Sequence, residues 1–167
     1  KKWLALVTLL LDFGKGFLAS FVPLLVYIAL AEHLGVLKDD TTKALASNTG
    51  YYILLSAPVL VLLGHMFPVW LKFKGGKGVA TAIGFYLMLS WQLGLMVIAM
   101  WLLVAYILRK SSAAAIAAIG AAPVFVWFLD IPEYSIHLAA LSALIIYRHR
   151  GNIERLLKGT EPSIGKK

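Results

Sequence analysis

Long apolar stretches separated by short polar ones organise this chain. The first covers residues 3–31 and is interrupted only by Asp12 and by Gly14-Lys15-Gly16. A polar stretch, 32–48, leads to the second, 51–70, which ends in Gly64-His65-Met66-Phe67-Pro68. After a loop of glycines and lysines comes 79–108. That run is too long for one crossing, since a spanning helix needs about 20 mostly apolar residues and tolerates about 17. Ser90-Trp91-Gln92 divides it in two, and Arg109-Lys110 closes the second part. The fifth run is 113–129, followed by the turn Asp130-Ile131-Pro132-Glu133; the sixth is 134–147, and a polar tail begins at Arg148. The pattern predicts an all-α polytopic membrane protein with six transmembrane helices, the third and sixth short. Nothing reads as a repeat or a linker, so residues 1–167 form a single integral-membrane domain.

Composition agrees with that class. The chain is 60% hydrophobic and 14% charged, against about 45–50% and about 25% for soluble domains. Absence of cysteine excludes disulfides, thiolate catalysis and cysteine-bound metal. The net charge of +8 is unevenly placed. If alternate loops share a side, one side holds Lys1-Lys2, Lys72, Lys74, Lys77, Arg109-Lys110 and the tail, 13 of the 16 Lys and Arg residues. The other holds Lys38 and Lys43 with Glu32, Asp39, Asp40, Asp130 and Glu133. The positive-inside rule then puts the glycine–lysine loop and the C-terminus in the cytoplasm. Such clustering suits anionic substrates, and neither a nucleic-acid partner nor an obligate protein partner is expected. Lys1-Lys2-Trp3-Leu4 lacks an initiating Met and reads like the middle of a protein, so an N-terminal portion is expected to be missing.

Four clusters could carry chemistry. In Phe73-Lys74-Gly75-Gly76-Lys77-Gly78-Val79-Ala80-Thr81, glycines would let main-chain N–H groups approach an anion at a helix start, with Lys74 and Lys77 adding charge and Thr81 in the first turn. The nucleotide P-loop spacing is absent. His65 closes the preceding run and could donate a hydrogen bond or take a proton. In the tail, His149 and Asn152 lie three apart and share a helical face, with Arg148, Arg150 and Arg155 as guanidinium donors nearby. Glu161 follows, more suited to pairing with an arginine than to acid–base work. Asp12 and Lys15, three apart in an apolar run, should pair with each other or line a polar cavity. No His, Asp and Glu grouping has metal-ligand spacing, so neither metal nor cofactor is expected.

These residues resemble a known family. The Gly64–Pro68 segment with the Phe73–Thr81 loop is similar to one signature of the bacterial acyl-phosphate:glycerol-3-phosphate acyltransferases. Tyr147-Arg148-His149-Arg150 with Asn152-Ile153, Arg155-Leu156-Leu157 and Gly159 resembles another. Leu11-Asp12-Phe13-Gly14-Lys15-Gly16 is similar to a segment of that family's second helix. A further family signature, a Ser/Gly/Asn-rich loop after an initial helix, has no counterpart here. The resemblance implies a seven-helix inner-membrane enzyme that moves a fatty acyl group from acyl phosphate to the 1-hydroxyl of glycerol 3-phosphate without coenzyme A. It implies that Gly75, Gly76 and Gly78 hold glycerol 3-phosphate, that His149 and Asn152 are needed for activity, and that Glu161 is structural.

The residues fit that chemistry without a protein nucleophile. Lys77, Lys74, Lys15, Arg148 and Arg150 would offset repulsion between two phosphates. The proton of the attacking hydroxyl could pass to His149, to His65 or to a substrate phosphate; the last is favoured, with the histidines as donors. An alternative from another class is a transporter or channel for a phosphorylated solute, which an intramembrane Asp12/Lys15 pair and an anion site would also suit. A metal-dependent alcohol phosphotransferase would want clustered aspartates, which the cytoplasmic side lacks.

Overall fold

Every apolar run forms a helix in the computed structural model, which describes residues 2–35 and 40–165, with side chains described for 3–35 and 48–165. The helices are α1 (Lys2–His33), α2 (Asp40–Met66), α3 (Val79–Leu89), α4 (Trp91–Leu108), α5 (Ser111–Phe128), α6 (Ser135–Arg148) and α7 (Arg150–Leu157). Short 3-10 turns, Val69–Leu71 and Pro132–Tyr134, precede α3 and α6. No strand occurs among the described residues. Among the described residues, four helical segments are long and apolar enough to cross a membrane alone: Trp3–His33, Asn48–Leu71, Trp91–Leu108 and Ser111–Phe128. Val79–Leu89 is apolar but shorter. Lys38, Asp39, Asp40 and Lys43, which enter the charge asymmetry, lie outside the residues whose side chains are described.

The breaks have local causes. Ser90 is extended (φ −156°, ψ 123°) and caps α4 by accepting from the Leu93 N–H at 3.4 Å, so the long run divides where the polar triplet falls. Gly14-Lys15-Gly16, by contrast, does not break α1. A Cβ on Gly16 would stand 1.9 Å from the Thr81 carbonyl oxygen, and one on Gly84 would stand 2.1 Å from the Phe13 oxygen. The two glycines let α1 and α3 touch backbone to backbone, the packing device of helices that gain nothing from burying leucine against lipid.

The buried core is shared by α2 to α6: Leu62, Met66, Phe85, Tyr86, Leu93, Val97, Ile119, Val126, Leu138 and Ile145 are all essentially inaccessible. Helix α1 lies outside that core and packs on α2 and α3, leaving Leu4, Leu10, Leu11 and Leu25 exposed as a lipid-facing surface would be. The loop before α3, the turn between α4 and α5, α7 and the tail gather at one end of the bundle. Tyr51 meets Glu133 and Tyr134 at the other.

Candidate active site

The glycine–lysine loop is held rigidly against the end of α2. The Gly76 N–H donates to the His65 carbonyl at 3.1 Å, and the Gly75 carbonyl accepts from Arg148 Nη2 at 2.9 Å. Cβ atoms on Gly75, Gly76 and Gly78 would meet the His65 oxygen at 2.1 Å, the His65 ring at 2.0 Å and Met66 Cε at 2.4 Å. Gly78 also has φ 83° as the residue capping α3, a left-handed conformation that glycine adopts without strain. Close packing of the loop therefore requires glycine at these positions. The elements facing the cavity described below are Lys77 and the first turn of α3 at Val79 and Ala80, whose N–H groups have no helical acceptor.

Behind the loop, two of the expected clusters merge. Lys15 Nζ lies 2.5 Å from Asp12 Oδ1 and 2.5 Å from His65 Nδ1, and Asp12 Oδ1 is 3.6 Å from that nitrogen. Against a protonated amine the His65 Nδ1 must be the acceptor. The pair thus fixes the His65 ring, which in turn supports Gly76. Arg148 holds the opposite side of the loop and stacks on Phe67, with its guanidinium carbon 5.0 Å from the ring centre.

At His149 the chain passes from α6 to α7 through a single non-helical residue. His149 is buried, and its Nδ1 lies 2.8 Å from the Ile145 carbonyl. A carbonyl only accepts, so Nδ1 carries the proton and the neutral ring offers Nε2 as an acceptor. Burial, followed by Lys77, holds its basicity below the ordinary histidine value despite the Ile145 bond and Glu161. In that tautomer the free nitrogen is set to receive a hydrogen bond.

Gly159, at φ 70°, ends α7 and turns the chain back so that Glu161 enters the protein. Its Oε1 accepts from Ser112 Oγ at 2.5 Å and Asn152 Nδ2 at 2.6 Å, and Oε2 accepts from Arg155 Nε at 2.7 Å. Burial works to raise the Glu161 pKa, but these donors more than offset it and hold the carboxyl at about 2. Lys110 Nζ donates to the Glu161 main-chain oxygen, and the Ile164 N–H donates to the Arg109 carbonyl at 2.7 Å. With one amide hydrogen committed to Glu161, Asn152 keeps its carbonyl oxygen and second hydrogen for a ligand.

These elements enclose a cavity of about 730 Å³. Its lining combines polar residues, Lys77, His149, Asn152, Ser111 and Ser163, with apolar ones, Ile83, Ile98, Trp101 and Leu102. Burial lowers the Lys77 pKa, and Arg155 adds to this while Glu161 opposes it. Lys77, His149, Asn152 and Glu161 are thus brought together. His65, Lys15, Asp12 and Arg148 stand behind the loop. Thr81 is buried with its hydroxyl unpartnered, Lys74 is exposed, and Arg150 lies over Tyr147; none of these three lines the cavity. Ser111, Ser112 and Trp101 were not singled out from the sequence. Only the polar stretch Arg109-Lys110-Ser111-Ser112, on the same side as the tail, could have pointed to the serines. Among the described residues no group of three His, Asp or Glu side chains could hold a metal.

Comparison with known proteins sharpens the chemistry. Residues 1–159 match the family model described as glycerol-3-phosphate acyltransferase. Curated glycerol-3-phosphate acyltransferases of Rhodospirillum rubrum and Paramagnetospirillum magneticum are each 42% identical over all of this chain, which covers 71% and 72% of them. The crystal structure of PlsY, an integral membrane glycerol 3-phosphate acyltransferase, in its lysophosphatidic acid form superposes with a TM-score of 0.76 at 34% identity, covering 98% of this chain and 74% of that one. Its glycerol 3-phosphate form gives 0.66 at 28% identity, covering 96% of each.

Proposed function

We propose a reaction course for a chain that belongs to the glycerol-3-phosphate acyltransferase family: a fatty acyl group moves from acyl phosphate to the 1-hydroxyl of glycerol 3-phosphate, releasing lysophosphatidic acid and inorganic phosphate. The observation that carries it is the mixed lining of the cavity. Its polar residues suit phosphates and a glycerol hydroxyl, and its apolar residues suit a fatty chain. Family membership leaves no role for a solute transporter.

Lys77 and the first turn of α3 bind phosphate, where a full charge and the helix dipole act together. His149 Nε2 accepts the hydrogen bond of the 1-hydroxyl and aims its oxygen at the acyl carbonyl carbon. The free amide hydrogen of Asn152 stabilises the carbonyl oxygen as it gains charge. As the new C–O bond forms, the hydroxyl proton passes to His149 and then to the departing phosphate, whose bond to the acyl carbon breaks. No covalent enzyme intermediate is needed, because the acyl phosphate is already an activated anhydride. Gly75, Gly76, His65, Lys15, Asp12 and Arg148 hold the loop, and Glu161 holds Asn152.

The third and sixth apolar runs cross the membrane as α3 and α6, giving six transmembrane helices in this chain. The cavity mouth and the tail face the cytoplasm of a bacterial inner membrane. What supports this is the charge asymmetry together with the gathering of the loop, the Arg109-Lys110 turn and the tail at one end.

The donor is tested by giving the purified full-length protein glycerol 3-phosphate with either palmitoyl phosphate or palmitoyl-coenzyme A. Lysophosphatidic acid with equimolar phosphate is expected from the first and none from the second; the reverse would overturn the donor assignment.

Gly76→Ala tests the loop. Its methyl would press on a His65 ring that Lys15 prevents from moving freely, so the loop and Lys77 must shift. KM for glycerol 3-phosphate should rise roughly tenfold or more, the loss of one good polar contact, with kcat changing less. A loss confined to kcat would place the loop in the chemical step.

A further inference from the structure

The segment between Pro68 and Lys74 inverts the design of a soluble loop. Four of its N–H groups are paired within it: Leu71 and Phe73 N–H donate to the Pro68 carbonyl, Lys72 to Val69 and Lys74 to Leu71, all at 3.0–3.1 Å. Its large apolar side chains point outward instead. Val69 is 70% exposed, Trp70 80%, Leu71 54% and Phe73 58%. A hairpin that pairs most of its own N–H groups and exposes four apolar side chains is suited to the border between water and lipid. Lys72 and Phe73 also hold left-handed conformations, φ 51° and 63°, that disfavour non-glycine residues. That conformation keeps Phe73 outside while the chain turns back to Gly75.

Two lysines accompany this apolar tip. Lys72 and Lys74 are exposed and make no ion pair among the described residues. The tip also follows directly on the apolar segment Asn48–Leu71, so it lies where that segment leaves the bilayer. An aromatic residue at headgroup depth with free lysines beside it complements acidic lipid, each lysine being attracted to an anionic leaflet. We propose that residues 69–74 form an interfacial anchor in which Trp70 and Phe73 enter the leaflet while Lys72 and Lys74 bind acidic phospholipid headgroups. This gives Lys74 a lipid partner in place of the substrate expected from its spacing. The anchor adjoins Gly75 and Gly76, so membrane charge bears on the same loop that carries Lys77.

The chain contains no cysteine, so Trp70→Cys introduces one labelling site where the side chain touches little. The full protein, carrying an environment-sensitive fluorophore there, is placed in phosphatidylcholine nanodiscs with or without phosphatidylglycerol as about a third of the lipid. Relative to a label at Lys158→Cys, emission should shift to the blue and iodide quenching should fall several-fold, with a further fall in the acidic discs. Adding Lys72→Gln and Lys74→Gln should remove only that further fall. Quenching equal to the Lys158→Cys label in both discs overturns the anchor. Equal shielding in the two discs overturns the headgroup assignment, as does loss of the difference when glycerol 3-phosphate is added in excess. Disulfides between Trp70→Cys copies would place a second copy of the chain on this surface instead.

Discussion

Glu161→Ala should nearly abolish acyl transfer and lower the melting temperature by roughly 10 °C. The carboxylate joins α5, α7 and the tail by accepting from Ser112, Asn152 and Arg155. Removing it leaves two buried donors unsatisfied, at about 1–3 kcal/mol each, while exposed Arg155 regains water. Asn152 then loses its orientation in the cavity, so activity falls even in molecules that remain folded. Glu161→Gln keeps an oxygen for Ser112 and Asn152 and should retain more than half of the lost stability. The pH dependence has a definite sign. A folded-state pKa of about 2, below the ordinary 4.5, gives stability that is fully present above pH 4.5 and lost as pH falls toward 2. Thermal scans across that window should slope downward into acid for the native protein and be flatter for Glu161→Gln. A native-like melting curve for Glu161→Ala would contradict the joining role.

His149→Ala should lower kcat by about 10²–10⁴-fold, the range for loss of a positioned proton acceptor. Its effect on melting should be smaller than that of Glu161→Ala, because the bond lost to the Ile145 carbonyl lies at a helix end. Since burial holds the His149 pKa below 6.5, the ring is neutral and accepting at pH 7 and is lost as an acceptor in acid. The native kcat/KM should therefore fall on an acid limb below pH 6.5. Phosphate substrates titrate nearby, with a second pKa of about 6, so the decisive comparison is with the variant: His149→Ala should lack the part of the limb that belongs to the ring. Identical profiles for both proteins would mean that His149 handles no proton.

The helices were legible because a membrane imposes a one-dimensional rule. Each crossing must satisfy its own backbone, so length and apolarity mark it, and Ser90 or Pro132 marks its end. Four runs meet that standard unaided in the structure; 79–89 and 135–148 are helical but short, and length alone does not make them crossings. The site residues were legible as types. His149 and Asn152 share a face because they lie three apart on one helical path. Their partners were not legible, since no local spacing relates Ser112 to Glu161, 49 residues on, or Gly75 to Arg148, 73 residues on.

By itself, then, the sequence determined an all-helical membrane chain, the clustering of its positive charge, and the residues from which an anion site could be built. Local periodicity and the exclusion of unpaired backbone from lipid suffice for that. Tertiary structure decided which of those residues meet. It pressed the three glycines of the loop onto α2, because only packing fixes what a missing Cβ makes room for. It joined Asp12 and Lys15 to His65, set His149 Nδ1 against the Ile145 carbonyl, and placed Lys77 rather than Lys74 in the lining of the cavity. A side chain's chemistry is local, but its protonation, orientation and partner depend on what the folded chain puts beside it.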